Sequence, residues 1–156
     1  MIALTLAAAL KRFVAESNRI EGITRRPTEA EVAAHETLLA LDEITIADLE
    51  AFVGVVAPGK PLRRLPGMDV RVGRYIAPPG GPQIEEQLGM LLASARARNA
   101  HQVHISYEKL HPFMDGNGRS GRAIWLWMMF RGWDDPYALQ RGFLHSFYYQ
   151  TLAAAS

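Results

Sequence analysis

The sequence predicts an all-α fold interrupted by one short β-hairpin. Apolar residues recur at helical spacing over most of the 156 residues. Helix start and stop signals divide this pattern into separate helices. Proline and glycine concentrate in residues 57–82, where alternating apolar and polar residues replace the helical spacing. We therefore expect one compact helical domain with a small β insertion.

A local signal marks each of the first three helices. Apolar spacing predicts the first helix at the N-terminus, and Gly22 is a natural stop after it. Thr28 is followed by Glu31 in a capping-box pattern, so a second helix is expected to begin there. Thr45 and Asp48 repeat that pattern and predict the start of a third helix.

The second half of the chain continues the helical pattern after the insertion. Residues 70–76 alternate apolar and polar side chains and predict an extended hairpin arm. Helical spacing resumes at Ile84 and again over residues 103–110. A turn-rich loop at 111–122 then leads into an apolar helix, and a last helix is expected over 138–154.

The composition excludes several classes of protein. Hydrophobic residues make up 49% and charged residues 21%, which is typical of a globular domain and not of a disordered or fibrous chain. A formal net charge of +1 argues against a dedicated nucleic-acid binder. The absence of cysteine excludes disulfides and thiolate metal sites.

The apolar segments do not predict a membrane protein. The longest purely apolar run, residues 124–130, is far shorter than the roughly 20 residues that cross a bilayer. Positive charges follow the N-terminal apolar run, whereas in a secretory signal they precede it. We expect a cytoplasmic protein that binds neither membrane nor nucleic acid.

The loop at 111–122, with the sequence HPFMDGNGRSGR, carries residues suited to phosphate binding. The Gly-Asn-Gly run at 116–118 tolerates positive φ, so its successive backbone N–H groups can form an anion-binding concavity at a helix start. Arg119 and Arg122, three residues apart on the first helical turn, add two forked donors that match phosphate oxygens.

Two further side chains of this loop indicate group transfer. Asp115 stands beside the predicted phosphate cradle, and Mg²⁺ typically binds through one or two carboxylates together with substrate phosphates. His111 can accept a proton from an attacking hydroxyl at neutral pH. These residue types predict the transfer of a phosphorus group from a nucleotide to a hydroxyl.

The loop resembles the signature of the Fic family, His-Pro-Phe-x-Asp/Glu-Gly-Asn-Gly-Arg-x-x-Arg, and matches it at every fixed position. Family members typically transfer AMP from ATP to a Ser, Thr or Tyr hydroxyl of a target protein. The resemblance extends to His104 and Tyr107 before the loop, and to a closing Arg…Tyr-Tyr segment at 141–152. It implies a Fic-type helical core domain over residues 27–156.

This resemblance implies a role for several positions. His111 would deprotonate the target hydroxyl, and Phe113 would pack into the core and fix the loop. Asp115 would hold a Mg²⁺ that bridges the α- and β-phosphates of ATP. Residues 72–75 would form a flap, an extended edge that pairs with a segment of the target protein.

The resemblance also implies a set of nucleotide-binding residues. The Gly-Asn-Gly run would cradle the phosphates, Arg119 would pair with the β- or γ-phosphate, and Arg122 with the γ-phosphate. Tyr148 and Tyr149 would line the base site. The full set is Val72, Gly73, Arg74, Tyr75, Asp115, Gly116, Asn117, Gly118, Arg119, Ser120, Gly121, Arg122, Tyr148 and Tyr149.

A second motif lies near the N-terminus. Ser17, Glu21 and Gly22 match the family's inhibitory pattern, Ser/Thr-x-x-x-Glu-Gly/Asn. In relatives this glutamate pairs with the second arginine of the loop, here Arg122, and occupies the γ-phosphate position. Residues 1–26 would then form an inhibitory helix packed on the core, and self-association would suit such regulation.

Other interpretations stay open. Relatives on the same scaffold remove AMP or transfer other groups, although the kinase-like Doc type replaces the two glycines that this sequence keeps. A catalytically silent module that binds peptides through its flap is the alternative from another class. His101 and His104 precede His111 without a fourth ligand at a spacing that suits zinc. Arg63 and Arg64 are expected to be solvated charges.

Overall fold

The structure, a computed structural model, describes residues 2–131, and it describes side chains from residue 7 onwards. Within that range lie six α-helices: α1 (Ile2–Ile20), α2 (Glu29–Leu39), α3 (Ile46–Val56), α4 (Pro82–Ser94), α5 (Ala100–Leu110) and α6 (Asn117–Arg131). A hairpin of β1 (Arg71–Val72) and β2 (Tyr75–Ile76) interrupts them, and a 3-10 turn (Ala95–Ala97) follows α4. The predicted all-α fold with a short hairpin is confirmed. The helix predicted over 138–154 lies outside the described residues.

Capping boxes fix the starts of three helices. At α2, Thr28 Oγ1 accepts a hydrogen bond from the Glu31 backbone N–H (3.1 Å), and Glu31 Oε1 accepts one from the Thr28 N–H (2.8 Å). Thr45 forms the same reciprocal pair at α3, so both predicted starts are confirmed. The α5 box uses Asn99 and Gln102, and it starts that helix three residues before the predicted position.

Helix α6 forms the centre of the domain. Between its first residue and Met128, every residue except Gly118 is buried. Helices α1, α2, α3 and α5 all contact it. A helix that is buried around its whole circumference needs neighbours on every side, and this packing fixes its N-terminus relative to the other helices. Across residues 2–131, no helix has both the length and the apolar character that a membrane span requires.

The insertion between α3 and α4 packs directly on the loop before α6. Leu62 and Phe113 form an antiparallel bridge. The Arg63 N–H donates to the Pro112 carbonyl (2.8 Å), and the Met114 N–H donates to the Pro61 carbonyl (3.0 Å). The start of the insertion therefore holds the backbone of the loop in place.

The hairpin follows within the same insertion. Arg71 pairs with Ile76, and Val72 pairs with Tyr75. Gly73 takes a φ of 59°, as the first central residue of a II′ hairpin turn requires. The extended arm predicted over residues 70–76 is confirmed.

Candidate functional site

The loop that precedes α6 is shorter than the sequence predicts. Helix α6 begins at Asn117, so the loop comprises residues 111–116. Both arginines lie on the helix, as predicted. The Asn117 side chain causes this early start. Its Nδ2 donates to the Phe113 carbonyl (2.8 Å), and its Oδ1 accepts from the Phe113 N–H (2.8 Å). Phe113 itself is buried in the core, as predicted.

The expectation of a Gly-Asn-Gly run with successive positive φ is only partly met. Gly116 alone takes positive φ (83°), because Asn117 and Gly118 already belong to α6. A Cβ on Gly116 would also lie 3.1 Å from Ala57 Cβ. The site is therefore a helix N-terminus entered through one left-handed glycine, and its unpaired N–H groups favour an anion.

His111 lies at the C-terminus of α5 with a left-handed backbone (φ 50°, ψ 61°). Its ring is half-buried, and Nδ1 lies 3.3 Å from the Glu108 carbonyl oxygen. Because a carbonyl only accepts, Nδ1 carries the proton in this contact and Nε2 is left as the proton acceptor. Burial lowers the pKa of His111 below its usual value of 6.5, so the ring is neutral at pH 7.

Asp115 is exposed next to the start of α6. Its Oδ1 accepts a hydrogen bond from the Gly116 N–H (2.7 Å), and this bond orients the carboxylate at the helix N-terminus. Across residues 2–131, no three His, Asp or Glu side chains are grouped as a metal site. One exposed carboxylate would suit Mg²⁺ only if substrate phosphates supplied its other ligands, so the predicted metal contact of Asp115 stays a prediction.

Arg119 and its neighbours on α6 are largely engaged within the protein. The buried Arg119 guanidinium donates from NH1 to the carbonyl of Val56, the last residue of α3. The Ser120 hydroxyl lies 2.7 Å from the Tyr107 hydroxyl, and a Cβ on Gly121 would collide with α5. Packing of α5 on α6 accounts for Ser120 and Gly121, and their predicted contact with a nucleotide stays a prediction.

The Arg122 guanidinium is fully buried and binds the end of α1. Its Nε donates to Ser17 Oγ (2.8 Å), and its NH2 donates to the Ser17 carbonyl (2.9 Å) and to Glu21 Oε1 (2.7 Å). The structure thus joins the two motifs that the sequence singles out. A carboxylate and a phosphate would compete for this fork.

The end of α1 fixes the position of Glu21. The Gly22 N–H donates to the Arg19 carbonyl and the Ile23 N–H to the Asn18 carbonyl, which is the pattern of a Schellman cap. Gly22 supplies the positive φ (79°) that this cap needs.

The Glu21 carboxylate lies at the start of α6. A Cβ on Gly118 would overlap with Glu21 Oε1, so the carboxylate stands against the first turn of that helix. Glu21 therefore occupies the place at the helix N-terminus where an anion is favoured.

Glu108 is a carboxyl near the site that no sequence pattern indicates. This largely buried carboxyl lies 3.9 Å from His104 Nε2, on the side of α5 that faces α6. Burial raises its pKa to about 8. His104 packs behind the loop as expected, with Nδ1 3.1 Å from the Gly121 carbonyl oxygen, and burial lowers its pKa to about 4.

The prediction for Arg63 is wrong. Its side chain is fully buried, and it donates four hydrogen bonds to backbone carbonyls. The neighbouring Arg64 is half-exposed and forms ion pairs with Glu50 (3.0 Å) and Glu85 (3.4 Å). The carbonyls that Arg63 binds come from residues that are far apart in sequence and meet only in the folded chain. The local pattern of charges therefore could not predict that Arg63 is buried.

The predicted flap lies beside the end of α5. Val72 and Tyr75 are exposed, and the Tyr75 hydroxyl donates to the Lys109 carbonyl, two residues before His111. Docking of a target on this edge stays a prediction. Tyr148 and Tyr149, predicted for the base site, lie outside the described residues.

Comparison with known proteins gives one family match. The model of the Fic/DOC family matches residues 32–129, which is more than half of the chain and includes the hairpin, the loop and both arginines. The match does not include Ser17 or Glu21. No curated protein is similar enough to the chain to count as a match.

Proposed function

Since this chain belongs to the Fic/DOC family, whose members are generally transferases, we propose that it is an auto-inhibited protein adenylyltransferase. It moves AMP from ATP to a Ser, Thr or Tyr hydroxyl of a target protein that docks on the flap. One observation carries this proposal: next to the loop that begins with His111, a helix N-terminus has its Arg122 held by a carboxylate.

The proposed reaction uses groups that this chain provides. As the target hydroxyl oxygen bonds to the α-phosphorus, His111 Nε2 takes the hydroxyl proton. The bond from the α-phosphorus to the bridging oxygen breaks, and pyrophosphate leaves. The N-terminus of α6 stabilises the negative charge on the phosphates, which is where most of the rate enhancement for such transfers arises.

ATP and Mg²⁺ are the substrate and the metal that fit this site. Asp115 would hold the metal, with phosphate oxygens as its other ligands. When bound, Mg²⁺ withdraws charge from the phosphates and favours departure of pyrophosphate. Arg119 and Arg122 would bind the terminal phosphates, and Arg122 can do so only after it releases Glu21.

Glu21 supplies the inhibition in this proposal. The carboxylate pairs with Arg122 NH2 and stands at the start of α6, so it would exclude the γ-phosphate from both. ATP that binds under this constraint places its α-phosphorus out of line for attack. Loss of the carboxylate is therefore expected to raise the rate of AMP transfer.

The first experiment compares wild type, Glu21→Gly and the double variant Glu21→Gly/His111→Ala with ATP and Mg²⁺. Intact-protein mass spectrometry measures self-modification, and labelling of a lysate with a tagged ATP analogue measures transfer to other proteins. We expect a mass gain equal to AMP, together with lysate labelling, in Glu21→Gly and neither in the double variant. Glu29→Gly is the matched control, because Glu29 is exposed at the start of α2.

Each other outcome selects a different function. A gain equal to one phosphate would indicate kinase-type transfer. Wild type that strips AMP from a modified protein, while Glu21→Gly does not, would indicate a hydrolase. Activity that survives His111→Ala, or Glu21→Gly no more active than Glu29→Gly, would contradict the assigned base or the assigned inhibitor, respectively.

A further inference from the structure

The carbonyl groups at the end of α5 have an unusually complete set of partners. A helix normally leaves its last four carbonyls without intrahelical donors. Here the carbonyls of Tyr107 and Glu108 face the backbone N–H (2.9 Å) and ring Nδ1 (3.3 Å) of His111. The next three carbonyls, at residues 109–111, accept hydrogen bonds from side chains of the insertion.

Two side chains of the insertion supply those bonds. The Tyr75 hydroxyl donates to the Lys109 carbonyl. Arg63 donates from NH2 to the Leu110 carbonyl (2.9 Å) and from Nε to the His111 carbonyl (2.7 Å). A cation is favoured at a helix C-terminus, and here its fork is aimed at two successive carbonyls.

The third nitrogen of the same guanidinium binds the base of the flap. Arg63 NH1 donates to the Met68 carbonyl (3.0 Å) and to the Pro78 carbonyl (2.7 Å). These two residues stand on either side of the hairpin, one before β1 and one after β2. One fully buried side chain therefore joins both ends of the flap to the backbone of His111.

This connection bears on the conformation of His111. It is the one residue other than glycine with positive φ among residues 2–131. Such a backbone persists only where the surrounding structure fixes it, and the Arg63 Nε bond to the His111 carbonyl contributes directly. Without that bond, the ring would lose its defined direction relative to the start of α6.

We propose that Arg63 is a positioning residue for the catalytic histidine and couples it to the flap. The coupling keeps the catalytic base and the target-binding edge in a fixed position relative to each other. This inference rests on the proposed function, because the direction of the His111 ring affects turnover only where His111 reacts. Arg63 itself touches no reacting group.

The test compares Arg63→Met and Arg63→Lys with the matched control Arg64→Met, all in the full chain carrying Glu21→Gly. Arg64 is adjacent but contacts only Glu50 and Glu85 among the ion pairs described. We expect kcat for AMP transfer to fall about tenfold to hundredfold in Arg63→Met, as misplaced catalytic groups typically cost. KM for ATP should change less than about twofold, because none of the four carbonyls that Arg63 binds lies on α6. Arg63→Lys should recover part of kcat, since lysine keeps the charge without the fork.

Two further measurements do not depend on activity. In Arg63→Met, the NMR pKa of His111 should rise, because the Arg63 charge disfavours the imidazolium, whereas that of Asp115 favours it. The third charge that acts on the ring, Glu21, is absent from all of these variants. Amide hydrogen exchange should speed up together in residues 70–77 and 109–114. Arg64→Met should change neither.

The outcomes separate this inference from the proposed function. If Glu21→Gly transfers no AMP, the proposed function fails, while NMR and hydrogen exchange still test Arg63. A folded Arg63→Met with unchanged kcat, or with unchanged exchange in both segments, would overturn the positioning role. If Arg63→Met does not fold, Arg63→Lys is compared in its place. If neither folds, Arg63 is a folding requirement and the inference is wrong.

Discussion

Two carboxyl groups, those of Glu21 and Glu108, lie near Arg122. Glu21 forms the direct ion pair, at 2.7 Å. Glu108 faces the same region from α5, and burial raises its pKa to about 8, with Glu21 adding to the rise and Arg122 opposing it. Because Arg122 already pairs with Glu21, an ionised Glu108 would be a second buried negative charge beside it, and this favours the protonated form of Glu108.

This makes Glu108 a source of pH-dependent stability. Its pKa is raised from 4.5 to about 8 in the folded chain, so below pH 4.5 it is neutral in both states. As pH rises from 4.5 to 8, the unfolded chain ionises while the folded chain retains the proton, and stability falls. Glu108→Gln should therefore stabilise the protein at pH 7 by on the order of 2 kcal/mol and leave it unchanged near pH 4.

Urea unfolding of wild type and Glu108→Gln between pH 4 and pH 8.5 measures this difference. The exposed Glu36→Gln on α2 is the control and should follow wild type throughout. A Glu108→Gln stability difference that is the same at pH 4 and pH 7 would show that the carboxyl is already ionised in the folded protein.

At the residue scale, local patterns select candidate residues but do not predict burial. His111, Asp115, Glu21 and Arg122 were selected because their types and spacing match one reaction and one inhibitory pattern, and their chemical roles stay predictions. Arg63 was misjudged because its partners at Leu110 and His111 are 47 and 48 residues away in sequence. Glu108 was missed for the same reason, since its low exposure depends on how closely α5 packs on α6.

At the scale of elements, the capping box of α2 also anchors the segment that carries Glu21. Besides closing the cap, Glu31 accepts hydrogen bonds from Arg25 (2.8 and 3.1 Å) and from Asn18 Nδ2 (3.4 Å). The hydrogen bond from Arg25 is the main cause that lowers the pKa of Glu31 to about 2. The connection between α1 and α2 is thus held on both sides of Glu21.

Glu31→Gln should loosen this connection. We expect a loss of about 1 kcal/mol in stability at pH 7, together with a partial rise in AMP transfer that stays below the rise in Glu21→Gly. Because the folded pKa of Glu31 lies below its usual 4.5, its contribution is present above pH 4.5 and is lost as pH falls towards 2.

Thermal unfolding and transfer assays compare Glu31→Gln with Asp48→Asn, which removes the equivalent side chain from the α3 cap. Asp48→Asn should lose stability without gaining activity. Equal activation by both variants would mean that general destabilisation, and not the α1–α2 connection, relieves the inhibition.

Helix boundaries show what local patterns can and cannot predict. The starts of α2 and α3 were predictable because their caps lie within three residues of sequence. The start of α6 was placed too late, since Asn117 begins the helix by bonding the backbone of Phe113 in the preceding loop. Positive φ was expected along the whole Gly-Asn-Gly run, because these residues tolerate it. In the folded chain only Gly116 of this run adopts positive φ, since the two residues after it are helical.

At the scale of the whole molecule, α1 is part of the hydrophobic core. Leu10, Phe13 and Val14 are buried against Trp125 and Leu126 of α6. The rings of Phe13 and Trp125 are stacked, with centroids 6.3 Å apart. The family match begins only at residue 32, yet the centre of the fold depends on a helix that precedes it.

Removal of residues 1–26 should therefore cost stability, although the division into 1–26 and 27–156 predicts a separate core. Deleting α1 removes the three side chains that pack on α6 and exposes Trp125 and Leu126, a loss on the order of 5 kcal/mol. We expect the 27–156 chain to unfold at a much lower temperature and to aggregate, while Glu21→Gly, which keeps this packing and removes only the carboxylate partner of Arg122, should lose far less stability.

Calorimetry, light scattering and AMP transfer on the two variants distinguish two forms of regulation. A 27–156 chain that is as stable as wild type and fully active would show that α1 is a detachable inhibitor. If instead only Glu21→Gly is both folded and active, relief of inhibition has to act on the turn at 21–26. Helix α1, which Glu21 directly follows, also covers α6, which carries the site. The Glu21 carboxylate therefore has to leave Arg122 while α1 stays in place and the core remains intact.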